Sequence, residues 1–363
     1  MVRRRLTQIG SGAEEENGPV SRSTLLEQLG VSLPVLAAPM AGGPTTPALV
    51  LAAAGAGSLG FLAAGYQQAQ TLAVQVTGMA AETEVYGVNL FAPHPVPIDP
   101  LAYAAYREAL RPLAARLGVD LPELPVEDDD HWHDKVDVLV AAAPRVVSFT
   151  FGLPDPATVA ALHRSGSLLA QTVTTADEAR QAGEAGLDAL VVQAPSAGGH
   201  SGTFTPARPL VDRSLPDLVA EIRAATSLPV VAGGGVVRPE HVAAALAAGA
   251  AAVAVGTALL LAPEAGTSPV NRGALTETWR GDTRMTRAFT GRPARGVPND
   301  FMARYDDSAP LGYPALHHLT SPIRKASAAR GDPEQVNVWA GSGYREITER
   351  PTAEILAELA APT

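Results

Sequence analysis

Residues 193–202 read QAPSAGGHSG and hold three ingredients of a catalytic site. Gln193 closes the apolar run 188–192 (DALVV), which reads as a short buried strand. A loop of small residues follows, and His200 stands between Gly199 and the pair Ser201-Gly202. Glycines let a backbone approach a ligand closely, and a histidine exchanges a proton near neutral pH. A lone histidine is usually structural. No packing argument demands one in this loop, so His200 is read as a proton-transfer residue.

Further candidates fall where other apolar runs end. Asn89 and Gln193 are amides at such ends, and each offers a donor and an acceptor to the edge of a heteroaromatic ring. The competing reading is that they satisfy the sheet's own backbone. Gly233, Gly234 and Gly235 close one late run, and Gly256 and Thr257 another. Bare backbone with one hydroxyl suits a phosphate cradle; the alternative is tight turns alone. Met40 and Thr150 follow or close the first and fourth runs. Arg292 and Arg295, in GRPARG, are two fixed cations for a phosphate or an anionic substrate, with structural ion pairing as the alternative. The acidic stretch 127–134 (EDDDHWHD) resembles a metal cluster only in composition and is read as a solvated loop, so no metal site is expected. His317 and His318 are adjacent and must point different ways, which disfavours a metal pair. Tyr305 and Tyr313 could line a pocket or pack in a core.

These residues need a scaffold, and the chain shows its rhythm. Eight apolar runs occur at 34–39, 58–62, 85–91, 145–151, 168–173, 189–193, 229–233 and 251–256. Helical patterns at 46–54, 67–81, 156–165, 176–185, 215–225 and 239–248 sit between most of them, several opening with Asp, Thr or Pro and closing at Gly. Alternating strands and helices imply a parallel sheet. Eight units in roughly 230 residues fit an α/β fold of the (β/α)8 TIM-barrel type better than an open doubly wound sheet. The runs are apolar throughout, as strands buried on both faces require. Residues 1–22 read as a polar tail and 23–363 as the barrel. A helical insertion at 93–140, with a helix at 100–117, and a C-terminal extension at 264–363 interrupt or follow the repeat. Long loops on a barrel carry its site, so both segments are expected to roof or wall the active-site face.

Composition narrows the function. The 363 residues carry 46% hydrophobic and 18% charged side chains, which suits a packed enzyme and not a disordered chain. A net charge of -10 disfavours a nucleic-acid partner, which needs a basic face. The absence of cysteine excludes disulfides, thiolate catalysis and iron–sulfur ligation. Arg3 to Arg5 precede no apolar stretch, and the apolar runs are interrupted by Gly, so neither a signal peptide nor a membrane span is expected. A cytoplasmic monomer or homodimer acting on a small molecule is the default expectation.

Nine separated motifs then carry a family resemblance: PVLAAPMAGG (34–43), GVNLF (87–91), VVSFTFG (146–152), VVQAPSAGGHSG (191–202), VVAGGGV (230–236), AVAVGTALL (252–260), TGRPARG (290–296), HHLTSPIR (317–324) and VWAGSGY (338–344). With these in order the chain resembles the nitronate monooxygenases, FMN-dependent TIM barrels. The resemblance implies FMN contacts at Met40, Asn89, Gln193, Gly198, Gly199, Gly234, Gly235, Ala254, Val255, Gly256 and Thr257. It implies a catalytic His200, with Thr150 and Tyr313 against the substrate. The implied reaction oxidises alkyl nitronates, such as propionate 3-nitronate, with O2 to a carbonyl compound and nitrite. An NAD(P)H-dependent FMN reductase acting on a quinone or enoyl thioester is the alternative, and a flavin- or phosphate-binding protein without turnover a third. Three positions depart from the family pattern. Ser196 stands where an acidic residue is common, Thr150 where a His is common, and Ser342 where a Gln is common.

Overall fold

The computed structural model describes residues 22–277 and 279–362, so all of the polar tail expected at 1–22 except Arg22 lies outside the described residues. Eight parallel strands close into a barrel: β1 (Val35–Ala37), β2 (Gly60–Ala63), β3 (Tyr86–Ala92), β4 (Val146–Phe151), β5 (Leu168–Val173), β6 (Ala189–Gln193), β7 (Val230–Gly233) and β8 (Ala252–Val255). Each lies within or beside one of the eight apolar runs, and Val35 pairing with Val253 closes the ring. The TIM-barrel expectation is met.

The strand pleat sorts side chains into two layers. Outward positions such as Val35, Ala37, Leu190, Val192, Val230 and Val253 pack against the helices, while Leu36, Phe61, Ala170, Ala189, Val231 and Ala252 fill the interior. Leu25 and Leu29 of α1 (Arg22–Leu29) pack with that interior set.

Local chemistry starts the helices where the strands need them to return. Thr46 caps α2 (Pro47–Gly55) by accepting from Leu49 N at 3.1 Å, with Pro at the first helical position. The ring continues with α3 (Ala69–Glu82), α4 (Pro100–Leu117) and α5 (Trp132–Ala142). Asp155 caps α6 (Pro156–Ser165), Thr175 caps α7 (Ala176–Glu184) and Ser214 caps α8 (Leu215–Ala225) in the same way. Next come α9 (Pro239–Ala247), α10 (Pro269–Thr276) and α11 (Asp300–Tyr305). The last two are α12 (Ala315–Ala329) and α13 (Thr352–Leu359). Among the described residues no helix is long and apolar enough to cross a membrane.

The two segments outside the repeat pack on each other. Tyr103, Tyr106, Leu110 and Leu117 of α4 share a core with Phe289, Phe301, Leu316, Leu319 and Ile323 of the C-terminal extension. Tyr106 Oη donates to Ala288 O at 2.6 Å, which fixes the start of the segment that carries Thr290 and Arg292. The end of the extension goes elsewhere. Ile355, Leu356 and Leu359 of α13 join the main core with Leu49, Ala53 and Val255, beside α2 and β1. The chain thus returns from the mouth to the helical ring.

Truncating Leu356, which is fully buried, leaves a cavity in that ring. Leu356→Ala is expected to lower stability by about 2–5 kcal/mol, read as a shifted urea midpoint. A midpoint equal to that of the unsubstituted protein would remove α13 from the cooperative core.

Candidate active site

The site is built around the loop that leaves β6. Strand alternation sends Leu190 and Val192 outward and Gln193 toward the barrel mouth. There its amide spans the loop: Gln193 Nε2 donates to His200 O at 3.0 Å, and Gly202 N donates to Gln193 Oε1 at 2.7 Å. Gly199–His200 adds a short antiparallel strand to Ala294–Gly296, which pairs in turn with Arg284–Thr286. Ser201 N donates to Pro293 O at 2.8 Å. Arg292, fully buried, donates from its guanidinium to Ser201 O and Thr203 O. On the far side Glu178, also buried, accepts from Thr203 Oγ1 and Phe204 N, both at 2.7 Å, and from Thr174 N at 2.6 Å. Residues 200–204 are therefore held by an amide, a guanidinium and a carboxylate from three parts of the chain.

The imidazole of His200 sits among aromatic rings. Its centroid lies 5.8 Å from Phe151, 5.8 Å from Tyr313 and 5.5 Å from Trp339, each approached edge-on. Nε2 is 2.9 Å from Thr290 Oγ1, and Nδ1 has no partner among the described residues. Burial, reinforced by the Arg292 and Arg324 cations, pushes the His200 pKa down to about 3, so the ring is neutral through the physiological range. The two arginines, Arg292 buried and Arg324 half-buried, give their hydrogen bonds to neutral acceptors. Arg292 holds the carbonyls above and stacks over Phe151 at 4.1 Å, with Nη1 buried and unpartnered. Arg324 donates to Thr320 Oγ1 and Asn337 Oδ1, each at 3.1 Å, and to His317 O at 2.8 Å. Burial lowers both to about 10, still far above neutral, so both stay charged.

The opposite wall comes from the β2 loop and the acidic insertion. Tyr66 stacks on His317 with centroids 4.3 Å apart, and Tyr313 Oη donates to Tyr66 Oη at 3.3 Å. Burial raises Tyr66 to about 12 and Tyr313 well above its ordinary value, so both phenols keep their protons. Tyr66 adopts φ 65°, a left-handed conformation costly for an aromatic residue, and its N donates to Asp130 Oδ1 at 3.0 Å. Asp130 also pairs with the buried Lys135 at 2.8 Å, whose ammonium donates to Ala64 O at 2.8 Å. Asp128 receives His318 Nε2 at 2.6 Å. The stretch expected to be a solvated loop is thus a strut between the Tyr66 loop and α12. Among the described residues no group of three or more His, Asp or Glu could hold a metal ion.

At the ends of β7 and β8 the backbone forms a concave surface of small residues. Gly235 has φ 70°, and a Cβ there would lie 3.0 Å from both Ser196 Oγ and Ser342 Oγ. Ser342 N donates to Ser196 O at 3.0 Å, and Gly341 N to Thr257 Oγ1 at 2.9 Å. A Cβ on Gly198 would lie 2.5 Å from the backbone of Ala340, so only glycine lets the C-terminal segment this close. The side chain of Met40 borders Gly256, 3.4 Å from where its Cβ would be. Backbone N–H groups and hydroxyls without formal charge suit an oxyanion such as phosphate. Thr257–Leu259, which follows β8, is a single short turn. Asn89 lies across the mouth, its Nδ2 bonded to Ser148 Oγ at 2.9 Å and Thr150 Oγ1 at 3.1 Å, leaving Oδ1 for a ligand.

The structure thus gathers Asn89, Thr150, Gln193, His200 and Tyr313 at one mouth, with Met40, Gly198, Gly234, Gly235, Gly256 and Thr257 beside it. Gly199 carries its φ of 76° in the loop strand. Ala254 faces the barrel interior, whereas Val255 points outward into the helical layer and offers a ligand only backbone. Tyr305 packs in the satellite core. Arg292 and Arg295 neither pair with carboxylates nor reach the cradle with their bonded N–H groups: Arg295 donates to Pro195 O at 2.6 Å and Thr283 O at 2.9 Å. The sequence reading missed Tyr66, Phe151, Thr290, Arg324 and Trp339. Phe151, Thr290, Arg324 and Trp339 stand inside the motifs at 146–152, 290–296, 317–324 and 338–344, which was their one local signal, and Tyr66 stands in none. A cleft of about 330 Å³ also opens on the outer flank of the loop, reaching Glu178, Thr203 and His200.

The chain is similar to known proteins over most of its length. A family model described as nitronate monooxygenase matches residues 22–361. A probable nitronate monooxygenase of Staphylococcus aureus strain Newman is 33% identical over 344 residues, 93% of this chain and 96% of the relative. The structure of a nitroalkane oxidase from Streptomyces ansochromogenes superposes with a TM-score of 0.86 at 40% identity, over 92% of this chain and 96% of that one. FabK from Thermotoga maritima superposes with a TM-score of 0.71 at 23% identity over 92% and 94%, a likeness of fold.

The depressed pKa gives a direct test by NMR. The ring protons of His200 are expected to hold their shifts from pH 8 down to pH 5, because the neutral form persists until roughly pH 4. A titration centred near the ordinary histidine value would contradict the burial and the two cations described above.

Proposed function

The chain belongs to the nitronate monooxygenase family, and from that premise we propose that it binds FMN and oxidises alkyl nitronates with O2 to a carbonyl compound and nitrite. Propionate 3-nitronate is the representative substrate. One observation carries the reading: a neutral, half-buried His200 lies in the field of two charged arginines that have no carboxylate hydrogen-bond partner. Such a field favours an anion over a neutral molecule of the same shape.

The residues present fit the cofactor. The cradle at Gly235, Ser196, Ser342 and Thr257 offers donors to a phosphate, and a Cβ at Gly235 would fill it. Asn89 Oδ1 and the remaining amide hydrogen of Gln193 would meet the polar edge of the ring. When bound, FMN would supply the redox chemistry between the nitronate and oxygen. The protein does the rest. Phe151, Tyr313 and Trp339 keep water from the reacting carbon. Tyr66, protonated and accepting from Tyr313, can donate to nitro or nitronate oxygens. His200, neutral, can take the α-proton of a nitroalkane, a step an already ionised nitronate does not need.

These roles separate two substrates. His200→Asn should keep the bound flavin, seen as an unchanged visible spectrum. It should reduce turnover of a neutral nitroalkane by roughly 10²–10⁴-fold, while propionate 3-nitronate loses much less. Equal turnover of the nitroalkane by both proteins would take the histidine out of the reaction. Anaerobic mixing distinguishes the reductase reading. Nitronate should bleach the flavin and NADPH should not; bleaching by NADPH alone would replace the oxygenase reading with the reductase.

A further inference from the structure

Thr290 contacts His200 on the nitrogen that the proposed reaction does not need. The hydroxyl is buried and has two candidate acceptors for its single proton: His200 Nε2 at 2.9 Å and Arg292 O at 3.3 Å. Arg292 is wholly buried, and among the described residues no other group donates to its carbonyl. If the Thr290 proton went to Nε2, that carbonyl would be left orphaned in the interior. The ring proton would then sit on Nδ1, which has no partner either. If the proton goes to Arg292 O, a lone pair of Oγ1 accepts Nε2–H, and the Arg292 carbonyl and the ring N–H are both satisfied. Counting donors and acceptors selects the second arrangement.

We propose that Thr290 is the positioning residue that fixes the His200 tautomer, placing the proton on Nε2 and leaving Nδ1 as the atom that meets the substrate. The inference rests on the nitronate monooxygenase reading for its chemistry, but the tautomer itself does not. With a neutral nitroalkane, the Nδ1 lone pair takes the α-proton. The C–H bond breaks, an N–H bond forms, and the C–H electron pair stays with the substrate as its nitronate. The imidazolium so formed keeps its Nε2–H on Thr290, so the ring does not rotate between proton uptake and release. Gln193 holds the backbone of the same residue through His200 O, which leaves the ring two fixed points.

The test is spectroscopic. In the flavin-loaded enzyme labelled with ¹⁵N-histidine, two-bond ¹H–¹⁵N correlations identify the protonated nitrogen, and His200 is assigned by its absence in His200→Asn. Expected at pH 7 is a protonated nitrogen that couples strongly to both ring C–H protons, the signature of Nε2. A protonated nitrogen coupled strongly to Hε1 alone would overturn the proposal. Thr290→Val removes the acceptor at nearly constant volume. It should give a mixed tautomer signal and a roughly ten- to hundredfold loss in nitroalkane kcat with KM unchanged, and Thr290→Ser should restore both. A Thr290→Val spectrum identical to that of the parent enzyme would equally sink the idea. If no nitronate is turned over at all, the spectra still decide the tautomer, so the two readings fail separately.

Discussion

The active face depends on one side-chain amide. Gln193 bonds both to the carbonyl of His200 and to the N–H of Gly202, so a strand end and the His200 loop become one piece. Without it the small residues of this loop would have little to define them, since glycine and serine carry few contacts of their own. The other restraints act on the same few peptide units. Glu178 anchors Thr203 and Phe204 from α7, and Arg292 anchors Ser201 and Thr203 from the C-terminal extension. Each of these groups would be costly to bury alone. Sharing the loop's peptide groups satisfies most of them at once.

That arrangement leaves a net electrostatic character. Glu178 spends its charge on N–H and O–H donors, and Asp130 spends its own on Lys135 and the Tyr66 backbone. Arg292 and Arg324 give theirs to neutral acceptors. The uncompensated charge acting on His200 is therefore positive, and it adds to burial in keeping the ring neutral. Backbone strain is concentrated here too. Phe151 at φ 83° and Tyr66 at φ 65° are both non-glycine residues in the left-handed region, and their rings meet at 5.2 and 4.7 Å through Phe91. Strain of this kind persists only where surrounding contacts over-determine it. The Asp130–Lys135 strut provides that for Tyr66.

The barrel was legible in the sequence because its strands are buried on both faces and so appear as uninterrupted apolar runs, down to Leu168–Val173 and Ala189–Gln193 at their observed limits. The parts of the site made by backbone were legible for a related reason: a Gly–Gly–His loop or a Gly-Thr strand end has few other uses. Side chains delivered across the fold were not. Thr290 reaches His200 from 90 positions away, and Tyr66 reaches Tyr313 from 247. Gln193 shows the boundary within one residue. Its place at a strand end was visible, but its bonds to the loop depend on how that loop folds back. The acidic stretch was legible only in part: Glu127, Asp128 and Asp129 are exposed as expected, but Asp130 turns inward. Charge composition suggests solvent, whereas Asp130 and Lys135 are partners only once α5 packs against the mouth.

The three departures from the family pattern end in two places, and this orders their consequences. Thr150 accepts from Asn89 and lies 3.3 Å from Thr172 Oγ1, so a hydroxyl network replaces an imidazole at the mouth of β4. His200 is left as the imidazole beside Thr290 and Phe151. Ser196 and Ser342 come together at Gly235, joined by the bond from Ser342 N to Ser196 O. Two hydroxyls thus stand on opposite sides of one glycine. In the proposed FMN reading this matters for charge more than for shape. A carboxylate at 196 would sit against a phosphate dianion, whereas hydroxyls can donate to it. The paired exchange keeps the two segments bonded through backbone alone, so each side chain is released from holding the fold and is available to the ligand.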